Sequence, residues 1–469
     1  MRVFRYICIC AILSTFLFSG VLYAEESFER AVEDNKKIGL MEAWQMALGN
    51  HEAVAVAKES SVQSSLDISR AYSQVLPSLK ADGSYTRYTE ERSSPAGFSL
   101  QPEDSYRVEL RLYQPIYSGG RAKSTLRQAK KMHFSAELGV DGAREEVLIM
   151  TARAYYGLLQ AGKAVSIVTA SLERLEEQLR VASTRLKIGL GTRADLLRAE
   201  SELAERAADL VEAKGYRRDA ENLFRRVTGI EAVDDINLPV DIDPADEVAF
   251  FERLTLKIDL VIKDALALAF KSRDDYRQSV LAEGVAEDGI KYARGAYLPT
   301  VSIEGVHVMR GQTPETSFFL DEATYGVLNV SVPIFEGGLR RADLSKARSR
   351  KRQAELTRTT LRRDIELELR GIYNDMATTK SRVGAYSKQF EFAKLNYETV
   401  FKQYEHGLAD SVELIDGETL LASAELKLAN AGFAYKLSII EVAGSLGTLL
   451  DELLEEGHEL IIFTGRESI

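Results

Sequence analysis

The chain has 469 residues, with 60 Lys and Arg against 71 Asp and Glu, a formal net charge of −11, and two cysteines. The acidic balance argues against a nucleic-acid partner; both cysteines, Cys8 and Cys10, fall in the leader described next, which excludes disulfides, thiol catalysis and a cysteine lipid anchor for the rest of the chain. Five scattered histidines without metal-ligand spacing, no phosphate-binding glycine loop and no nucleophile motif leave enzymatic activity, a cofactor or a metal site without sequence support.

In chain order, Met1–Ala24 opens with Arg2 and Arg5, continues through an apolar run from Tyr6 to Phe18 and closes on Ala24 before Glu25-Glu26. This predicts a secretory signal peptide cleaved after Ala24, because the apolar run is shorter than the ~20 residues a spanning helix needs. Without it the balance is 58 against 71, or −13. No later stretch approaches a spanning helix, so membrane insertion after export has to use strands that close into a barrel.

A helix is expected over Glu52–Gln74, leading into a strand at Leu79–Thr86. Beyond a polar loop, Glu90–Ser105, comes a segment in which Tyr106, Val108, Leu110 and Leu112 alternate with Arg107, Glu109, Arg111 and Tyr113. Alternation alone favours a soluble, half-buried strand; in an exported chain with no spanning helix the preference reverses, and four strands close a barrel only if several chains combine, since roughly eight is the usual minimum. After Pro115–Gly120, Arg121–Lys187 contains no proline and places apolar or small residues at Leu158, Ala161, Val165, Val168, Leu172, Leu175, Leu179, Ala182 and Leu186. Steps of three and four keep this seam on one side of a coiled-coil helix roughly 100 Å long. Glycine stops it at Gly189, Thr192 can cap a return helix, and Leu196, Leu203 and Leu210 give that helix its own seam.

An acidic segment, Ile230–Phe251 with Pro239 and Pro244, reads as an irregular connector. The series then repeats: helix Asp275–Ala296, strand Val301–Val308, loop Gly311–Thr324, and a strand whose Leu328, Val330 and Val332 alternate with Val327, Asn329 and Ser331. Pro115-Ile-Tyr-Ser-Gly119-Gly120 recurs as Pro333-Ile-Phe-Glu-Gly337-Gly338, a shift of 333 minus 115, or 218. The same shift carries Tyr155 onto Tyr373, Gly189 onto Gly407 and Glu200 onto Glu418, and Leu414, Leu421 and Leu428 repeat the leucine seam. Neither copy of so long a repeat is expected to close a core alone. The predicted organisation is the signal peptide at 1–24, then repeat one at 25–256 with a β-hairpin about 79–117, long helix about 121–187, return helix about 192–228 and connector about 230–256. Repeat two, 257–450, has a helix about 275–296, a β-hairpin about 300–335, a long helix about 339–406 and a return helix about 410–448, with a C-terminal tail at 451–469. The aromatics Tyr155, Tyr156 and Tyr373 read as helix packing.

The strand-to-helix turns, the tips Gly189-Leu-Gly-Thr-Arg-Ala-Asp195-Leu and Gly407-Leu-Ala-Asp-Ser-Val-Glu413-Leu-Ile-Asp416, and the segments Leu426–Ala431 and Ser445-Leu-Gly-Thr-Leu together resemble the TolC-like outer-membrane factor family over nearly all of the exported chain. The fold this resemblance implies is mainly α with a β-hairpin pair: a duplicated helical-hairpin repeat forming, in a homotrimer, an α-helical barrel capped by a 12-stranded transmembrane β-barrel. It implies an outer-membrane exit duct reaching into the periplasm, working passively in efflux or type I secretion with a periplasmic adaptor, an inner-membrane transporter and outer-membrane lipid. Adaptor docking falls on Gly189, Leu190, Gly191, Thr192, Gly407, Leu408 and Ala409. The family's acidic entrance ring falls on Glu413 and Asp416, and its inter-helix gate link falls partly on Asp195 and Tyr404. The arginine partner of that link falls on Ala409, leaving nearby Arg193 as the candidate substitute. Carboxylates near helix starts are also ordinary caps. The competing class is a periplasmic coiled-coil adaptor or scaffold without a pore; adaptors usually offer one helical hairpin, whereas this chain has two.

Overall fold

The computed structural model describes residues 38–95, 99–230, 250–313 apart from 253, 256, 257 and 259, and 321–455. The expected signal peptide, most of the connector and most of the C-terminal tail lie outside the described residues. The elements are α1 (Leu40–Asn50), α2 (Glu52–Ser73), β1 (Ser78–Arg87), β2 (Arg92–Ser93), β3 (Ser99–Gln101), β4 (Asp104–Ser118), α3 (Arg121–Lys187), α4 (Arg193–Thr228), α5 (Ile262–Ser272), α6 (Asp274–Gly295), β5 (Thr300–Thr313), β6 (Glu322–Ser331), α7 (Leu339–Glu405), α8 (Ser411–Leu446) and α9 (Leu449–Glu455). The two long helices, α3 and α7, have 67 residues each, and the two return helices, α4 and α8, have 36 each. None of the described helices is long and apolar enough to cross a membrane.

The described residues fall into two compact units that cut across both sequence repeats. The first comprises Val54–Ala143 and Ala267–Glu366. Each repeat contributes two strands to its four-stranded antiparallel sheet, in the order β1-β4-β5-β6, and β2 pairs with β3 in a separate two-stranded one. β4 and β5 run in register from Asp104↔Thr313 to Ser118↔Thr300, with a bulge between Pro115 and Tyr117 that shifts side-chain parity by one residue. Strands extend past the segments read from alternation, because backbone pairing continues where polar residues interrupt the pattern. Between α3 and α6, the carboxylate of Asp288 is buried and accepts from Arg127 Nε at 2.9 Å, Lys131 Nζ at 2.8 Å and Lys291 Nζ at 3.2 Å. Burial pushes its pKa up, but the three cations outweigh that and hold it at about 2.

The turn from β4 into α3 is fixed by two glycines. Gly119 has a φ of +66°, and a Cβ there would lie 2.2 Å from the Gly295 carbonyl oxygen. A Cβ on Gly295 would lie 2.4 Å from the Gly119 carbonyl oxygen, so the turn and the end of α6 touch backbone to backbone.

The second unit holds the rest of the described chain, including α4, α8 and the parts of α3 and α7 from Arg144 and Leu367 onward that lead to the hairpin tips. Its core is aromatic as well as aliphatic: Trp44 of α1 donates its indole N–H to the Leu148 carbonyl at 2.7 Å and meets Phe250 edge-on at 5.6 Å. Tyr155 and Tyr156 are buried, and Tyr373 donates its hydroxyl to the Ile258 carbonyl at 2.9 Å. Helix α1 has its own apolar face, with Leu40, Ala43, Trp44 and Ala47 buried.

Candidate functional site

Both helical hairpins turn in the same way. At the end of α3, Gly189 adopts φ +75°, its N–H reaches the Leu186 carbonyl at 3.1 Å, and the Leu190 N–H reaches back to Arg185 at 2.9 Å. At the end of α7, Gly407 adopts φ +75°, with the Gly407 N–H on Tyr404 at 3.0 Å and the Leu408 N–H on Gln403 at 2.8 Å. These paired bonds satisfy carbonyls that the helix end leaves open and require a left-handed residue, which glycine supplies. Leu190 and Leu408 remain 69% and 79% exposed, so each tip presents an apolar side chain, joined at the first tip by Ile188.

Each return helix starts with a reciprocal cap. The Asp195 N–H donates to Thr192 Oγ1 at 3.1 Å, while the Thr192 N–H donates to Asp195 Oδ2 at 3.0 Å. The Val412 and Glu413 N–H groups both donate to Asp410 Oδ1 at 2.8 Å, and the Asp410 N–H reaches Glu413 Oε2 at 3.3 Å. Asp195 also accepts the Ser411 hydroxyl through Oδ1 at 2.7 Å, tying the first turn of α4 to the first turn of α8. Hydrogen bonds from Thr192 and then Ser411, with the charge of Arg185, hold the Asp195 carboxyl below its ordinary range.

Asp195 is thus bonded to Ser411 rather than to Tyr404. Tyr404 is buried, and the cation over its ring, at 4.8 Å, is Arg185. The same guanidinium donates to the Tyr404 carbonyl and, at 3.3 Å, to the Leu190 carbonyl. Arg193 is exposed and makes no ion pair among the described residues. A basic residue in the last turn of a helix is ordinary, and only the fold brings Arg185 to the opposite hairpin. Glu413 and Asp416 are both exposed in the first turns of α8; Glu413 also closes the cap, and Asp416 makes no ion pair among the described residues. We expect Thr192→Ala to loosen the start of α4 by about 1 kcal/mol. Because Asp195 binds its proton less readily when folded, its contribution is present above the ordinary value of 3.8 and fades as pH falls through the lower folded value. Amide exchange at the tip should accelerate below that range in the native chain, and Asp195→Asn should remove the acid dependence.

Farther along the hairpins, Glu418 of α8 is buried between helices, a position not distinguished by its echo Glu200, which is exposed. Its Oε1 accepts the Ser171 hydroxyl at 2.6 Å and Arg174 Nη2 at 3.0 Å, while Arg206 Nη2 lies 3.9 Å from Oε2. Arg174 also lies over the Tyr397 ring at 5.8 Å, so α3, α4, α7 and α8 all contribute to this cluster.

In the sheet unit, the register separates two faces. One carries Leu79, Tyr85, Tyr106, Val108, Leu110, Leu112, Ile303, Met309, Leu328 and Val330, every one at least 39% exposed. The Tyr106 ring crosses Gly311 opposite, within 2.2 Å of where a Cβ would be. The other face carries Arg107, Glu109, Arg111, Glu304, Arg310 and Asn329, with Val306 and Val308 buried among them. Apolar area turned to solvent on this scale is the mark of an interaction surface.

A sequence-family model described as "Outer membrane efflux protein" matches residues 43–230 and 265–448, one segment in each half of the chain. The chain belongs to this family. Outer membrane efflux proteins are channels rather than enzymes, and this one is an outer-membrane channel of the efflux and type I secretion class. It is 23% identical over 396 residues to the outer membrane protein TolC of Escherichia coli, covering 82% of this chain and 77% of that protein. It is 22% identical over 426 residues to the alkaline protease secretion protein AprF of Pseudomonas aeruginosa, covering 86% and 83%. Among solved structures, the CmeC outer membrane channel of Campylobacter jejuni superposes with a TM-score of 0.74 at 18% identity, covering 89% of this chain and 87% of that one.

Proposed function

We propose that three copies of this chain close one twelve-stranded barrel in the outer membrane and continue as a helical duct into the periplasm. The observation that carries this reading is the sheet: four antiparallel strands with free edges at β1 and β6 and an exposed apolar face. An open edge invites pairing, and β1 of a neighbouring copy runs antiparallel to β6, so the repeat closes without a reversal of direction. Aromatics bracket the apolar face. Tyr85 and Tyr106 pair at the loop end, and the bulge returns Tyr117 to that face near the helix end. From Tyr106 to Tyr117 is eleven residues, about 36 Å along a strand and about 28 Å after a ~40° tilt, close to the ~25 Å apolar band of such barrels.

In this reading the tips, with Leu190 and Leu408 outermost, meet a periplasmic adaptor coupled to an inner-membrane transporter, and Glu413 and Asp416 form an acidic ring at the entrance. Arg185 and Ser411, bridging the two tips beside Tyr404 and Asp195, take the latch role in place of an arginine at Ala409. Membrane fractionation with chemical cross-linking tests the assembly: a trimer in the outer membrane is expected, and a soluble monomer overturns the reading. In planar bilayers, Glu413→Gln with Asp416→Asn should lower cation preference about twofold or more, because several like charges at one mouth concentrate counter-ions. An unchanged preference removes the ring.

A further inference from the structure

Within its four strands the charged face carries four cations, Lys80, Arg107, Arg111 and Arg310, against three carboxylates, Asp82, Glu109 and Glu304, with Asp321 just before β6. Both oxygens of Glu109 are occupied: Oε2 by Arg107 at 2.5 Å and 3.1 Å, Oε1 by Arg111 at 2.6 Å and 3.1 Å. Glu304 accepts from Arg111 Nη1 at 3.1 Å and from Asn329 Nδ2 at 2.9 Å. On β1, Lys80 and Asp82 pair with each other at 2.9 Å. Arg310 is left over. It stands directly opposite Arg107 on this same face, makes no ion pair among the described residues, and its Nε is buried without an acceptor. On its other side the row ends at Asp321, whose carbonyl accepts the Arg310 N–H at 2.8 Å but whose carboxylate makes no ion pair with the Arg310 guanidinium among the described residues. Like charges set opposite each other across strands are destabilising, so a guanidinium facing Arg107 with a buried Nε and no ion-pair partner marks a place where an anion from outside the chain is favoured.

We propose that Arg310, supported by Arg107 across the row, is an anion-attracting group on the pore wall, one row from the Tyr85–Tyr106 pair at the loop end of the sheet. This rests on the barrel reading above, which turns the apolar face to lipid and the charged face to the lumen. Threefold repetition makes a ring of three guanidinium groups that lack an ion-pair partner. Its ligands are small oxyanions and cargo bearing carboxylate or phosphate groups, which match the planar donor fork of arginine better than the point charge of lysine.

The test is reversal potential in planar bilayers under a potassium chloride gradient, with and without inorganic phosphate on the side opposite the tips. Arg310→Gln should shift the potassium-to-chloride permeability ratio toward potassium about twofold or more, and should abolish the slowing of chloride current by phosphate. Arg310→Lys should keep the native potassium-to-chloride ratio while weakening phosphate block; it also serves as the probe if the glutamine variant fails to assemble. Open channels from either variant with the native ratio and native phosphate block overturn the proposal and leave the barrel standing. Native protein that forms no membrane-inserted channel overturns the barrel reading and this proposal with it.

Discussion

Gly295→Val should leave almost no folded channel in the outer membrane, and Gly119→Ala should be nearly as damaging. A Cβ on Gly295 would meet the Gly119 carbonyl oxygen at 2.4 Å, and a Cβ on Gly119 would meet the Gly295 carbonyl oxygen at 2.2 Å. Neither neighbour is the tip of a flexible side chain. Relief requires moving the β4–α3 turn away from the end of α6, and both segments are anchored: β4 by its ladder to β5, and α3 to α6 by Arg127 and Lys131 on Asp288. Gly119 adds a left-handed backbone that costs an alanine about 1 kcal/mol before any clash. Together these exceed ~4 kcal/mol, the range reserved for changes that break a structural device rather than perturb it. The echo position Gly337 gives the contrast: it has φ +60° but nothing within 4 Å of a Cβ, so Gly337→Ala should carry only the backbone penalty in the isolated chain. The measurement is the yield of heat-resistant, membrane-inserted protein for each variant. Near-native yield from Gly295→Val would mean that the two segments part without consequence.

That junction also shows what the sequence carried and what it did not. The motif Pro-Ile-Tyr-Ser-Gly-Gly marked a strand-to-helix turn because glycine pairs after a period-two segment have few other uses. Its partner, Gly295, was invisible, since it sits in another element and has no pattern of its own. The long helices were legible for a local reason: an uninterrupted alternation of three and four over dozens of residues admits one periodicity. Helix α1 carried a similar signal in Leu40, Ala43, Trp44 and Ala47, but eleven residues close to the expected leader gave too short a stretch to stand out. At the tips, the reciprocal bonds from Asp195 and Glu413 emerged with the folded turns, while the cap at Thr192 was readable because caps are local. Arg185 was not, because its partners are Leu190 of its own turn and Tyr404 of the other hairpin. The two faces of the sheet followed from alternation, whereas the surplus charge at Arg310 required the register that pairs it with Arg107.

Glu418→Ala should loosen the seam between the two helical hairpins more than any other single change of a charged residue there. Its carboxylate side chain is 1% exposed, and removing it leaves Ser171, Arg174 and Arg206 facing a gap. Breaking a buried pair on one side costs about 3 kcal/mol, which corresponds to roughly a hundredfold faster amide exchange in the surrounding turns of α3 and α8. The cost comes mainly from the stranded guanidinium, so Glu418→Leu combined with Arg174→Leu should recover most of it; Arg206 keeps Asp209 at 3.0 Å in either background. The control is the repeat itself. Glu200 occupies the echo position on α4 yet is exposed, so Glu200→Ala should change exchange by no more than about twofold. The positions that echo Ser171 and Arg174 are Gln389 and Phe392, which offer no cation. One seam within the chain is therefore closed by a charged cluster, and its echo lacks that cluster. Equal responses at Glu418 and Glu200 would show that the duplicated hairpins are held alike and that the buried carboxylate adds nothing to the seam.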